Sequence, residues 1–158
     1  MLLHGRCAAD CLGGELLADA GNFSSPGYPA SLPIYQVFCE WKIEGPSWHQ
    51  IQLSFHVVDL PSRSSTRGHR RHALSYVAFG DFDAFGRRVE YRRLYGGHKS
   101  VRPFTAAGNS AWVTLLSTGD PHRRHRGLLI EVIYLHYGQM SFFALQVRCC
   151  DHNSPART

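Results

Sequence analysis

Lysine is almost missing from this chain: Lys42 and Lys99 are the only two in 158 residues. Lys+Arg total 17 against 12 Asp+Glu, so the positive charge is carried almost wholly by arginine. Long apolar runs are also missing. None approaches the ~20 residues that a membrane-spanning helix needs, so no membrane insertion of this chain is expected. Extended helical periodicity is absent, which argues against a helix bundle. No cysteine falls in a C-x-x-C pair, which argues against a zinc ribbon or a thioredoxin-like site. There is no G-x-S-x-G, no H-E-x-x-H and no phosphate-binding P-loop. Ser, His and Asp are present, but no spacing selects three of them. We therefore expect no enzyme, no catalytic residue and no cofactor.

What is present is a chain able to bury a core. Hydrophobic residues make up 44% and aromatics 12%, which excludes a disordered or collagen-like polypeptide. The net charge of +5 points to anionic partners: sulfated glycans, phosphates, nucleic acid or acidic protein faces. Ten histidines add positive charge below about pH 6.5. Arginines interleaved with aromatics in "FGRRVEYRRLYGG" could stack bases on a sheet. We prefer a strand in which Val89, Tyr91 and Arg93 alternate on one face, with Arg88 and Arg92 on the other beside Glu90. With no nuclear address, no nucleic-acid partner is expected. Five cysteines, Cys7, Cys11, Cys39, Cys149 and Cys150, leave at least one thiol free or bridged to another chain. Asn22-Phe23-Ser24 is a glycosylation sequon. "MLLHGRCAADCLGG" is too short and too polar for a signal peptide, so either the leader is missing here or the protein is not secreted.

Short alternating runs recur between turn signals. "CEWKI" puts Cys39, Trp41 and Ile43 on one face, and "IQLSF" does the same for Ile51, Leu53 and Phe55. "LSYVAF", "RVEYRRLY", "SAWVTLL", "LLIEVIYL" and "SFFALQV" follow. Period-two runs of β-branched and aromatic residues form half-buried strands. "SSPGYP", "GPS", "YGG" and "AAGNS" punctuate them, which implies an all-β antiparallel sandwich or barrel. Asp81 and Asp83 in "GDFDAFG" are expected to form an Asx-type turn rather than a catalytic pair. One string occurs twice, as His69-Arg70-Arg71-His72 and His122-Arg123-Arg124-His125. Nothing else matches in register around the copies, so they are not an internal repeat.

The stretch "GGELLADAGNFSSPGYPASLPIYQVFCEWKI" followed by "IQLSFHVVDL" resembles a CUB domain, an extracellular β-sandwich interaction module. The match runs through Cys11, Gly13-Gly14, Gly21, Phe23, Ser25-Pro26-Gly27-Tyr28-Pro29, Cys39 to Ile43, and Asp59-Leu60. Looser matches continue to Tyr134. The resemblance implies a two-sheet antiparallel jelly-roll sandwich over 11–135. A leader segment of 1–10 precedes it, and an extension of 136–158 follows, with one extra strand and a tail. It also implies a Cys11–Cys39 disulfide, a glycan at Asn22, and an extracellular location, secreted or in a membrane protein's ectodomain. Closing a loop of this size contributes about 3 kcal/mol in the chain-entropy picture. Three departures matter. His72 and Gly96 stand where the family's second disulfide would be. The calcium-binding acids fall at Pro61 or Arg67 and at Ser75, leaving Asp120 as the single survivor. Calcium needs about six oxygen ligands, so no metal site is expected. The third departure is the extension itself, where Cys7 could bridge Cys149 or Cys150.

By this resemblance the loops 61–75 and 117–127 lie side by side at one end of the sandwich. They carry Arg63, Arg67, Arg70, Arg71, Arg123, Arg124 and Arg126, a reversal of charge where relatives keep acids. The expected function is a non-catalytic binding module that engages an extracellular protein or a sulfated glycosaminoglycan through these loops. His69, His72, His122 and His125 would make that binding sensitive to pH. Two alternatives are a structural spacer domain with no ligand of its own, and zinc held by the four histidines. No nearby carboxylate or thiolate ligand is expected to offset a dication beside seven arginines, which counts against zinc. The oligomeric state is not readable from the sequence.

Overall fold

The computed structural model describes residues 13–17, 20–62, 75–136 and 144–148. Among these residues ten strands run in chain order: β1 (Gly13–Leu17), β2 (Ala20–Ser24), β3 (Val37–Glu44), β4 (His49–Asp59), β5 (Tyr76–Phe82), β6 (Arg88–Tyr95), β7 (Phe104–Thr105), β8 (Ser110–Ser117), β9 (Gly127–His136) and β10 (Ala144–Arg148). No helix occurs among the described residues. Two five-stranded sheets, ordered β1-β2-β9-β4-β7 and β10-β3-β8-β5-β6, face each other, and every pairing is antiparallel. This is the expected all-β sandwich.

The core follows from the period-two pattern. In β3, Val37, Cys39, Trp41 and Ile43 are buried, and the residues between them are not. In β4, Ile51, Leu53 and Phe55 point inward, as their spacing predicts. Aromatic rings fill the layer between the sheets: Phe23 meets Trp41 at 4.9 Å and Phe55 meets Phe79 at 4.4 Å. Burying each such side chain contributes about 1.5–3 kcal/mol, which opposes the entropy of ordering the strands.

Two of the bulges, in β4 and β5, reset the alternation. The register of β4 on β9 shifts between Phe55 and Val57. A residue added to one strand of a pair flips the parity of everything beyond it. Val58 and Leu60 therefore enter the core, and Asp59 turns away from it. The second shift, between Phe79 and Gly80 of β5, leaves Tyr91 of β6 without a partner in the register. This corrects the expectation that Val89, Tyr91 and Arg93 share one face. Tyr91 instead stacks on Phe104 of β7 at 4.7 Å, covering the open side between the two sheet edges. Arg93 turns outward with its guanidinium 4.2 Å from the ring centre of Tyr76.

The turn at 83–87 bears out the Asx reading for Asp83 and corrects it for Asp81. Oδ1 of Asp83 accepts the backbone N–H groups of Phe85 and Arg87, both at 2.9 Å. Oδ2 of Asp81 accepts the N–H of Ala107 at 3.0 Å, so the two acids serve separate structural ends.

Candidate functional site

The β8–β9 loop, 118–126, is braced at three points. At its start, the hydroxyl of Ser75 accepts the N–H of Thr118 at 2.9 Å. Gly119 has φ +77, and a Cβ there would strike the carbonyl of Ile34, so only glycine fits under the 33–36 segment. At its end, Gly127 has φ +92, with Ser25 and Leu32 where a Cβ would stand. The Ser25 hydroxyl accepts the N–H of Leu128 at 2.8 Å.

The third brace is His125. Its side chain is only 5% exposed. Nδ1 lies 3.0 Å from Oδ1 of Asp59, and Nε2 lies 3.3 Å from Oδ2 of Asp120. Its backbone carbonyl accepts the N–H of Leu32 at 2.7 Å. Only an imidazolium donates from both nitrogens; a neutral ring leaves one carboxylate facing a lone pair. Asp59 also accepts the N–H of Arg126 at 2.9 Å. Asp120 accepts those of His122 at 2.9 Å and Arg123 at 3.2 Å. Burial pushes the Asp59 carboxyl up. The Arg126 N–H, the bond and charge of His125 and the charge of Arg123 outweigh it and hold the group below its ordinary value. Asp120 is lowered chiefly by the His122 N–H, against a smaller effect of burial, with help from His125 and the Arg123 N–H.

The expectation of a lone aspartate among arginines is therefore corrected. Two carboxylates meet here because the β4 bulge turns Asp59 toward the loop and the Asp59–Gly127 pairing sets it beside residues 125 and 126. Asp59 was legible in the sequence only as part of the family-like "VVDL". His125 also leaves the expected exposed set, since it is buried and both ring nitrogens face carboxylates. Its ring nitrogens are thus turned to Asp59 and Asp120 and not to solvent. Among the described residues, no group of three or more His, Cys, Asp or Glu side chains is arranged to hold a metal ion.

His122, Arg123, Arg124 and Arg126 are exposed. The Arg126 guanidinium lies 5.9 Å from the ring centre of Tyr28. Among the described residues no carboxylate forms an ion pair with Arg123, Arg124 or Arg126. Arg63, Arg67, Arg70, Arg71, His69 and His72 lie outside the described residues. Cys39 is fully buried and disulfide-bonded; Cys11 and the other cysteines lie outside the described residues. Asn22 is exposed on β2, opposite Glu131 of β9.

A family model described as "CUB domain" matches residues 11–131. Cubilin of Homo sapiens is 26% identical over 102 residues, covering 64% of this chain and 3% of that protein. The chain thus spans a small fraction of this much longer relative. Among solved structures, the "CUB1-EGF-CUB2 domain of HUMAN MASP-1/3" superposes with a TM-score of 0.57 at 21% identity, covering 75% of this chain and 42% of that one. The "MASP-1 CUB2 domain bound to Ca2+" superposes with a TM-score of 0.53 at 17% identity, covering 78% of this chain and 99% of that one. At these identities the structural likeness shows the fold.

Proposed function

This chain belongs to the CUB domain family, and from that premise we propose that it is an extracellular, non-catalytic module that binds a protein or sulfated-glycan partner through its basic end loops, 61–75 and 117–127. CUB domains are typically extracellular protein-binding modules. The observation that carries the reading is the braced loop with exposed Arg123, Arg124 and Arg126, none of them ion-paired with a described carboxylate. Guanidinium forks match sulfate, phosphate and carboxylate in bidentate fashion. A loop held rigid by His125 spends little entropy on presenting them. In this reading Arg63, Arg67, Arg70 and Arg71 of the 61–75 loop belong to the same basic surface.

The calcium seen in the MASP-1 relative has no counterpart in this proposal. Neither Pro61 or Arg67 at the first position nor Ser75 at the second offers a carboxylate, and the Ser75 hydroxyl is engaged with Thr118. The group that lies between Asp59 and Asp120 is the chain's own imidazole, that of His125.

The proposal includes an 11–135 domain with a leader at 1–10 and an extension at 136–158, a Cys11–Cys39 disulfide and a glycan at Asn22. A non-reducing peptide map of secreted protein tests the last two; free Cys11 and Cys39 thiols would refute the bridge. Binding is tested on a heparin column. The protein should elute at high salt, because each neutralised anion releases counterions. Changing Arg123, Arg124 and Arg126 together to Gln should bring elution to distinctly lower salt. Unchanged elution of that variant sinks the reading.

A further inference from the structure

Four side chains stand in one row across the outer face of the second sheet. Phe38 of β3 is opposite Leu116 of β8, Leu116 is opposite Tyr76 of β5, and Tyr76 is opposite Tyr95 of β6. The next row along the strands is Glu40, Thr114, Ala78 and Arg93; the one after it is Lys42, Trp112, Gly80 and Glu90. A sheet face turned to water is ordinarily polar, as the charged residues of these later rows illustrate. The first row is wholly apolar or aromatic, and it is the row nearest the β8–β9 loop.

Its members are not all covered. Phe38 is 42% and Tyr95 49% exposed. On the segment leading into β3 and Phe38, which packs against Gly119, Ile34 and Tyr35 are 68% and 55% exposed. Six apolar or aromatic side chains therefore run onto the loop that carries Arg123 and Arg124. The rings are held in place: Tyr76 and Tyr95 meet edge to face at 6.0 Å. Arg93 over Tyr76 is fixed by two bonds to Glu90, at 3.1 and 2.7 Å.

We propose that this row and the basic loop form one docking surface, and that its occupant is an acidic polypeptide segment that also presents apolar side chains; the inference rests on the reading that the loop binds anions. The charge on the page is complementary to carboxylates at the loop. The adjoining row is complementary to aliphatic or aromatic groups, which a sulfated glycan chain lacks. Rigid, half-exposed aromatics beside arginine are the composition of interface hot spots, since little ordering entropy is lost when they are covered. The arginines would speed encounter and fix orientation, and the apolar row would slow release.

The test is selection of a displayed library of random peptides on the full chain. A selected peptide and a heparin-derived oligosaccharide are then titrated against Ile34→Ser, Tyr35→Ser, Tyr95→Ser and the Arg123→Gln/Arg124→Gln pair, with thermal melts confirming that each variant folds. Selected peptides should combine Asp or Glu with aromatic or aliphatic residues. Each serine variant should weaken peptide binding about tenfold, the scale of one interface anchor, and leave heparin binding unchanged. No enrichment, enrichment of acidic peptides without apolar residues, or peptide binding indifferent to all three serine variants overturns the proposal. If the serine variants weaken the peptide and the arginine pair changes neither ligand, the anion-binding reading fails and only the apolar half of the surface stands.

Discussion

Asp59 and His125, 66 positions apart in the chain, meet at 3.0 Å through Oδ1 and Nδ1. The contact joins the end of β4 to the β8–β9 loop, and Asp120 faces the other nitrogen of the same ring. The basic loop is thus built around an acidic clasp. Its arginines point outward because the carboxylates have an internal partner in His125.

Replacing His125 with Ala should destabilise the fold by about 2–3 kcal/mol, the scale of hydrogen bonds to charged groups. The loss leaves Asp59 and Asp120 without the group between them. His125→Gln, which can still donate to one carboxylate, should cost less. Urea unfolding of the two variants checks the order; equal stability of His125→Ala and the parent would show that the clasp contributes nothing.

Acid should loosen the same loop. The carboxyls of Asp59 and Asp120 are held below the ordinary value of 3.8. A depressed group contributes stability that is fully present above its unfolded value and is lost as pH falls through its folded value. The contribution is therefore constant at neutral pH, begins to decline near pH 4, and disappears below that. Melting temperature against pH should fall less steeply in this acid range for Asp59→Asn than for the parent, because the variant has no proton to take up at that site.

Gly127→Ala should be strongly destabilising for a residue with no side chain to lose. The backbone sits at φ +92, and Ser25 and Leu32 occupy the place of a Cβ. Backbone strain of this kind costs on the order of 1–3 kcal/mol, and the clash adds to it. Chemical denaturation measures the loss. Gly108→Ala, with nothing near its Cβ position and no positive φ, is the matched control and should be close to neutral.

Trp41→Ala should cost about 3–5 kcal/mol, as large-to-small changes in packed cores do. The indole is fully buried against Phe23, and its N–H has no hydrogen-bond partner among the described residues. Trp41→Phe removes that unpaired donor together with part of the ring, so its cost should be well under that of alanine. Comparing the two by denaturation separates the volume of the ring from the polarity of its nitrogen.

The sandwich was legible because burial on a strand has a period of two. Cys39, Trp41 and Ile43, or Ile51, Leu53 and Phe55, state their face within five residues. The short Gly- and Pro-rich stretches between runs state where strands end. The family was legible for a related reason: the "SSPGYP" corner and "CEWKI" occupy fixed places in the fold. The exposed arginines 123, 124 and 126 could also be read, since a polar loop between two apolar strands has nowhere to bury them.

Side-chain direction beyond a bulge could not be read. "FHVVDL" and "VEYRRL" offer no local sign of where the extra residue enters, because a bulge is set by how the strand pairs with its neighbour. One shift turned Asp59 out of the core and toward His125; the other separated Tyr91 from Arg93. The sequence by itself determined a basic, arginine-bearing, all-β chain, because composition and alternation are local properties. Only the tertiary structure decided that a histidine from the basic loop would be buried between two aspartates, and that an aromatic row would end beside that loop. Both depend on contacts between strands far apart in the chain, where a shift of one residue reverses the outcome.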